Sequence, residues 1–318
     1  MLKKAFAALI ALSCLSFGAV QAETFPSKPI KIIVAFGPGS GGDILARLLA
    51  QHLQPELGTP IVIENRVGAL GQIATLALAR SPADGYTLGM GSSSTHSTAA
   101  FLTKNLPYDP IKDFTPVGGL NLYTFVLLIN ASTPVETPRE LVAYVREKGT
   151  GFYGFGNASG RVGAAHFKTL TGLDATETPY KSAPDALTDL AAGRVDFVFT
   201  DWGSARSFVE SGRLRAIAVM ADERSPVLPD LAAVGEAFPG FDFSNWGGLL
   251  APAGTPDDVV NKLNGALMTV LGKEEVRDRM ASMGLEVRPS SPAELGQLVA
   301  AQQQAWGAAI QGAGIQPE

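Results

Sequence analysis

Gly37, Gly39 and Gly42 stand in the stretch FGPGSGGD, residues 36–43, between the apolar run IKIIVA and the leucine-rich ILARLLAQHL. A strand that feeds a glycine-rich loop into a helix leaves backbone N–H groups without intrahelical partners, and these attract negative charge. The spacing also satisfies G-x-G-x-x-G, and Glu64 closes the next strand-like run, PIVIE, so the stretch carries nearly the whole dinucleotide fingerprint. The chemistry offered is anion binding, with a dinucleotide as one candidate and any small anion as another. GFYGFGNASG, residues 151–160, repeats the arrangement, with RVGAAHFKTLTG continuing as a helix.

Catalysis would need more than these loops supply. There is no G-x-S-x-G elbow, and the one cysteine, Cys14, lies in an N-terminal apolar run. His52 sits beside Gln51 and Gln54 and reads as a surface residue. His96 and His166 each follow a Gly/Ser-rich loop, where a site role and a hydrogen bond that shapes the loop are both open. No two histidines have ligand spacing and the acidic residues form no calcium loop, so no metal is expected. Ser92, Ser93 and Ser94 have no base beside them and read as donors to an anion, not as nucleophiles. No catalytic residue is expected.

The N-terminus weighs against the dinucleotide. Lys3 and Lys4, the run AFAALIALSCLSFGAV and the small residues before Glu23 have the order of a secretory signal cleaved after Ala22. The start is Lys-Lys, not twin arginine, which points to the Sec route and a periplasmic destination, where nicotinamide cofactors are not normally available. No cofactor is expected. Removing the leader takes away the only cysteine and two lysines, which makes the formal charge of −5 more negative. An acidic chain without a basic tract argues against nucleic acid or an anionic membrane surface as partner. About 300 residues remain, enough for two ordinary domains.

The elements that must hold the loops alternate. KIIVAF, PIVIEN and YTLGMGSS read as strands and DILARLLAQHLQPEL and GQIATLALARSP as helices, which indicates a parallel sheet. LYTFVLLIN reads as one long apolar strand, and TPRELVAYVREKG as a helix capped by Thr137. Strands ATETPY, VDFVFTD and LRAIAVMA alternate with helices APDALTDLAAG and SARSFVESG in a second α/β unit. GLLAPAGTP then offers a strand that crosses back into the first. The expected fold is α/β with two domains, each a mainly parallel sheet flanked by helices. Residues 23–124 and 246–318 form a discontinuous domain 1, and 125–245 the inserted domain 2.

Motif order resembles a known family. K-P-I-K-I-I-V-A-F (28–36), P-G-S-G-G-D (38–43), E-N-R-x-G-A-x-G (64–71) and A-D-G-Y-T-L (83–88) are followed by K-N-L-P-Y-D-P-I-K-D-F (104–114), P-Y-K-S-A-P-D-A-L-T-D-L-A-A-G-R-V-D (179–196) and A-P-A-G-T-P (251–256). The set resembles the substrate-binding proteins of tripartite tricarboxylate transporters, the Bug receptors, and spans nearly the whole chain after the leader. The resemblance implies a type II-like periplasmic binding protein fold that closes like a Venus flytrap on a ligand in the interdomain cleft. It implies that Phe36, Gly37, Pro38, Gly39, Ser40, Gly41, Gly42 and Asp43, with the opposed Gly156, Asn157, Ala158, Ser159 and Gly160, grip a carboxylate. By the same resemblance His166 matches a position where histidine is common, Ser92, Ser93, Ser94 and Thr95 face the cleft, and Asp201, with Trp202 beside it, meets the distal end of the ligand.

Two segments depart from the usual family pattern: N-R-V-G-A-L-G-Q, with Val67, Leu70 and Gln72, and the hydroxyl-rich G-S-S-S-T-H-S. Phe155, Tyr180, Trp202 and Trp246 could form an aromatic wall of the cleft or simply belong to the core. The implied function is non-enzymatic: an extracytoplasmic receptor that delivers a di- or tricarboxylate, an amino-dicarboxylate or an aromatic acid to a membrane permease. Monomer is the simplest expectation for such a diffusing protein. The alternatives are a sensor that docks on a signalling protein and an enzyme that uses residues 37–42 for a dinucleotide.

Overall fold

Each apolar run finds its place by period and by what covers it. The computed structural model describes residues 24–241 and 243–317, and the leader expected over residues 1–22 lies outside them. β1 (Ile30–Val34) pairs parallel with both β2 (Ile61–Asn65) and β3 (Thr87–Ser92). Its side chains alternate between two cores. Ile30, Ile32 and Val34 pack with Leu45, Leu49 and Leu53 of helix α1 (Gly41–Leu57), while Ile33 packs with Ala74 and Leu78 of α2 (Gln72–Ala79). A strand covered by helices on both faces is largely apolar, with Lys31 the exception through its ion pair with Glu64, and each buried leucine contributes roughly 1.5–3 kcal/mol.

The run LYTFVLLIN, expected as one strand, is two. Tyr123 ends β4 (Phe114–Tyr123) and Phe125 opens β5 (Phe125–Asn130), which belongs to the other sheet. Thr124 between them takes part in neither ladder: its N–H donates to the Gly284 carbonyl at 3.0 Å and its own carbonyl accepts from the Trp202 N–H at 2.9 Å. A chain that passes between two sheets must leave one ladder before it joins the next, and one residue suffices here.

The second unit follows as helix α3 (Pro138–Lys148), β6 (Gly151–Phe155), α4 (Ala158–Thr171), β7 (Ala175–Pro179), α5 (Ala183–Ala191), β8 (Phe197–Asp201), α6 (Trp202–Glu210) and β9 (Leu214–Val219). Its sheet has the order β7-β6-β8-β5-β9. β6 runs parallel to β7 and β8, whereas β5 is antiparallel to β8 and β9. The chain then returns as β10 (Asn245–Pro252), α7 (Asp257–Gly272), α8 (Glu274–Ser282), β11 (Leu285–Ser290) and α9 (Pro292–Gly312). β10 inserts between β3 and β4, antiparallel to both, in the order β11-β4-β10-β3-β1-β2. Both sheets are therefore mixed: parallel where strand and helix alternate, antiparallel where the chain crosses or returns.

The last helix belongs to both lobes. Ser291 and Glu294 form its capping box, and its N-terminal half buries Leu295 and Val299 against the first sheet. Its far end places Trp306 and Ile310 in the core of the second lobe, beside Phe241, Phe243 and Phe167. The Trp306 Nε1–H donates to the Ser244 carbonyl at 3.2 Å. Among the described residues no helix is long and apolar enough to cross a membrane.

Candidate functional site

The loop after β1 is built by its own side chains. Ser40 is the N-cap of α1, its hydroxyl accepting from the Asp43 N–H at 3.3 Å, and Gly39 holds φ +82°, where a side chain would be strained. Asp43 reaches back to accept from the Gly39 N–H at 3.0 Å and is itself held by Arg47 and by Asn65 Nδ2. Burial alone would raise the Asp43 pKa, but these hydrogen bonds outweigh it and keep the carboxyl below its ordinary value. Asp43 thus braces the loop from behind.

The loop after β6 has the same plan. Asn157 caps α4 by accepting from the Gly160 N–H at 2.8 Å. The two helix N-termini approach each other from opposite lobes, which presents two positive poles to the space between them. Each helix end favours an anion by roughly 0.3–1 kcal/mol.

The hydroxyl run closes the third side. Ser93–Ser97 form a single π-helical turn in which most of the polar side chains have defined partners. Ser93 Oγ accepts from the Trp246 N–H at 3.0 Å, and Ser97 Oγ from the Trp246 Nε1–H at 2.9 Å. Ser94 reaches across to the other lobe: its Oγ donates to Ser159 Oγ at 2.9 Å and accepts from the Ser159 N–H at 3.1 Å. A second crossing runs from the Gly41 N–H to Ser204 Oγ at 3.0 Å. Ser204 in turn is tied to Asp201, which caps α6. Gly41 comes so near that a Cβ on it would collide with Asp201 Oδ1.

These loops enclose a cavity of about 40 Å³. At 10–15 Å³ per water-sized group it holds about three such groups, so it suits a compact headgroup. Of the residues expected at the site, Phe36, Ser40, Gly42, Ser92, Ser93, Ser94, Asn157, Ser159 and Asp201 line it. Gly37, Gly41, Asp43, Thr95, Gly156, Ala158 and Gly160 are buried neighbours of lining residues in the same loops and turns, while Pro38 and Gly39 lie exposed on the outer side of the first loop. Three others are elsewhere. His166 packs against Phe241 and Phe243 with Nε2 3.2 Å from the Gly240 carbonyl, and the Tyr180 hydroxyl donates to Asp189 at 2.9 Å. Trp202 lies against Gly284 at the edge of a surface groove behind α6. Of the aromatic wall, Trp246 lines the cavity, while Phe155 is a buried core residue.

Tyr123, Phe125, Ala183 and Asn245 also line the cavity and were not expected there. Three sit where strands cross between lobes, and apolar strand residues at such points read as core. Asn121 is a buried amide within β4, and Asn245 is the buried first residue of β10.

Electrostatically the cavity has no side-chain cation in its lining. Burial raises the Asp201 pKa, opposed by hydrogen bonds from Ser204 and Thr200, and burial with the Asp201 charge raises that of Tyr123. His96 lies behind the serine turn, edge-on to Phe114, with Nδ1 2.8 Å from Thr95 Oγ1. Burial pushes its pKa down to about 3, so it is a neutral ring at physiological pH. The groups the cavity offers to an anion are fixed backbone dipoles and hydroxyls. Among the described residues no cluster of three or more His, Cys, Asp or Glu side chains could hold a metal ion.

Comparison with known proteins agrees with this geometry. Residues 45–315 match the family model described as tripartite tricarboxylate transporter family receptor. Among solved structures the chain is similar to the periplasmic binding protein BugD, with 30% identity, a TM-score of 0.88 and coverage of 92% of this chain and 100% of that one. It is similar to Rpa4515 of R. palustris, solved with adipate, at 34% identity and TM-score 0.89, covering 92% and 100%. It is also similar to MatC of Rhodopseudomonas palustris, solved with bound malate, at 33% identity and TM-score 0.85, covering 90% and 100%. The two-lobed α/β architecture is that of periplasmic binding proteins.

Proposed function

This chain belongs to the tripartite tricarboxylate transporter receptor family, a family of periplasmic solute receptors and not of enzymes, and on that premise we propose that its interlobe cleft binds a small organic carboxylate for delivery to a membrane permease. The observation that carries the reading is the opposition of two helix N-termini, those of α1 and α4, across one small cavity without a lining cation. A carboxylate there accepts charge-assisted hydrogen bonds from directed N–H and O–H groups. Both lobes contribute, so the ligand favours the closed form, and binding is coupled to closure. The adipate and malate bound by two neighbours support an organic acid as ligand class. Ser40, Ser92, Asn157 and Ser159 are the proposed contacts.

Thermal unfolding of the mature protein against mono-, di- and tricarboxylates, amino-dicarboxylates, aromatic acids and NAD tests this. At a hundredfold its dissociation constant a ligand adds about 2.7 kcal/mol of stability, which a melting curve resolves readily. A selective shift with an acid is expected, and Asn157→Leu, which removes a lining group and the α4 cap, should reduce it at least tenfold in affinity. A shift with NAD and none with any acid would overturn the reading. Delivery to a permease predicts that deleting the gene abolishes uptake of the same acid by whole cells.

A further inference from the structure

Two side chains in the cavity lining, Asn245 and Asp201, offer hydrogen-bond acceptors. Asn245 opens β10 opposite Tyr123 of β4, both line the cavity, and Asn245 is 3% exposed. Its Nδ2 faces the Phe243 carbonyl at 3.5 Å, which orients the amide and turns Oδ1 the other way. That Oδ1 is buried and has no hydrogen-bond partner. Native structures rarely leave such an atom unsatisfied, so a donor that completes it is favoured.

Two further features point the same way. Asn121, two residues before Tyr123 on the same face of β4, is buried behind the lining with both amide atoms unpartnered, and its Oδ1 lies so close to Gly247 that a Cβ there would collide with it. Asp201, on the second lobe's side of the cavity, is buried and bonded to Ser204 and Thr200, which are neutral. A second carboxylate placed there would meet a carboxyl group and an amide oxygen. A donor placed there would satisfy both.

We infer that the acid bound in this cleft carries a hydrogen-bond-donating substituent, a hydroxyl or an ammonium, which the Asn245 side-chain carbonyl accepts and which makes Asn245 a specificity-determining residue. The inference rests on the reading of the cleft as a carboxylate site. Its chemistry is the asymmetry that makes polar recognition strict: a buried acceptor left without its donor discriminates against the analogue that lacks one.

Titration calorimetry with matched sets tests it: propionate, lactate and alanine; succinate, malate and aspartate; glutarate, 2-hydroxyglutarate and glutamate. In the set that binds, the hydroxy or amino acid should bind at least about tenfold tighter than its unsubstituted parent. Asn245→Leu should bring that ratio within about threefold, and Asn245→Asp, which keeps an acceptor, should retain it. Asp201→Asn separates the two sources, lowering the ratio for an amino acid and leaving it for a hydroxy acid. A parent acid that binds as tightly as its derivatives overturns this inference and leaves the carboxylate reading standing, as does an unchanged ratio in a folded Asn245→Leu variant. Failure of every acid to bind overturns both. If Asn245→Leu does not fold, the wild-type ratio decides.

Discussion

His96, for which the sequence left a site role and a loop-shaping role both open, takes the structural one. It follows a Gly/Ser loop, as a catalytic or ligand-binding histidine might, but its ring is enclosed by Phe114 and Trp246 and donates nothing to the cavity. The consequence is a pH dependence of stability. A base whose pKa falls from 6.5 to about 3 on folding is protonated in the unfolded chain and neutral in the native one between those values. Stability is therefore intact above pH 6.5 and declines as the pH falls through that window, by up to several kcal/mol. His96→Asn keeps a partner for Thr95 and cannot titrate, so its melting temperature should change less than that of the wild type between pH 6.5 and 4.5, before most carboxylates protonate. Parallel slopes for the two proteins would show that His96 is not the group responsible. Loop residues were legible because glycine, serine and asparagine after an apolar run have few other uses. Asn245 was not, since one amide in the run NWGGLLAP looks like a strand end until the partner strand is known.

At the scale of elements, the cleft is an encounter between the first turns of α1 and α6 as much as a meeting of loops. Gly41 occupies the first turn of α1 with ordinary helical geometry, so alanine costs that helix nothing, and alanine is the better helix former. Its Cβ would nevertheless run into Asp201 on the other lobe. Gly41→Ala should thus weaken ligand binding at least tenfold, because the contact of the two turns described above is obstructed while helix α1 itself is not. Titration calorimetry checks this, and unchanged affinity would mean that closure does not bring these turns together. Sequence periodicity made most of the elements legible, including both strand–loop–helix units. It missed the division at Thr124, where neither hydropathy nor β propensity changes and only the choice of pairing partners differs.

For the molecule as a whole, the alternation of strand and helix indicated two α/β units, one inserted in the other, and the sheets contain strands 30–123 with 245–290 in one and 125–219 in the other. What the pattern did not reveal is how α9 ends. Its amphipathic stripe shows that one face is buried, without saying that the face changes hosts along its length, from Leu295 in the first lobe to Trp306 in the second. Trp306→Ala should cost about 3–5 kcal/mol, and because the side chain joins the lobes, the single calorimetric transition expected of the wild type should separate into two. One cooperative transition in the variant would show that other contacts couple the lobes. The position of this tryptophan also governs when the protein can fold. Both cores draw on the final part of the chain, the first through β10 and β11 and the second through Trp306, so neither is complete until residue 306 has left the ribosome. A nascent chain with that dependence reaches its full length before either half can lock, which is the state a polypeptide needs if it is to thread through a narrow membrane channel and fold on the far side.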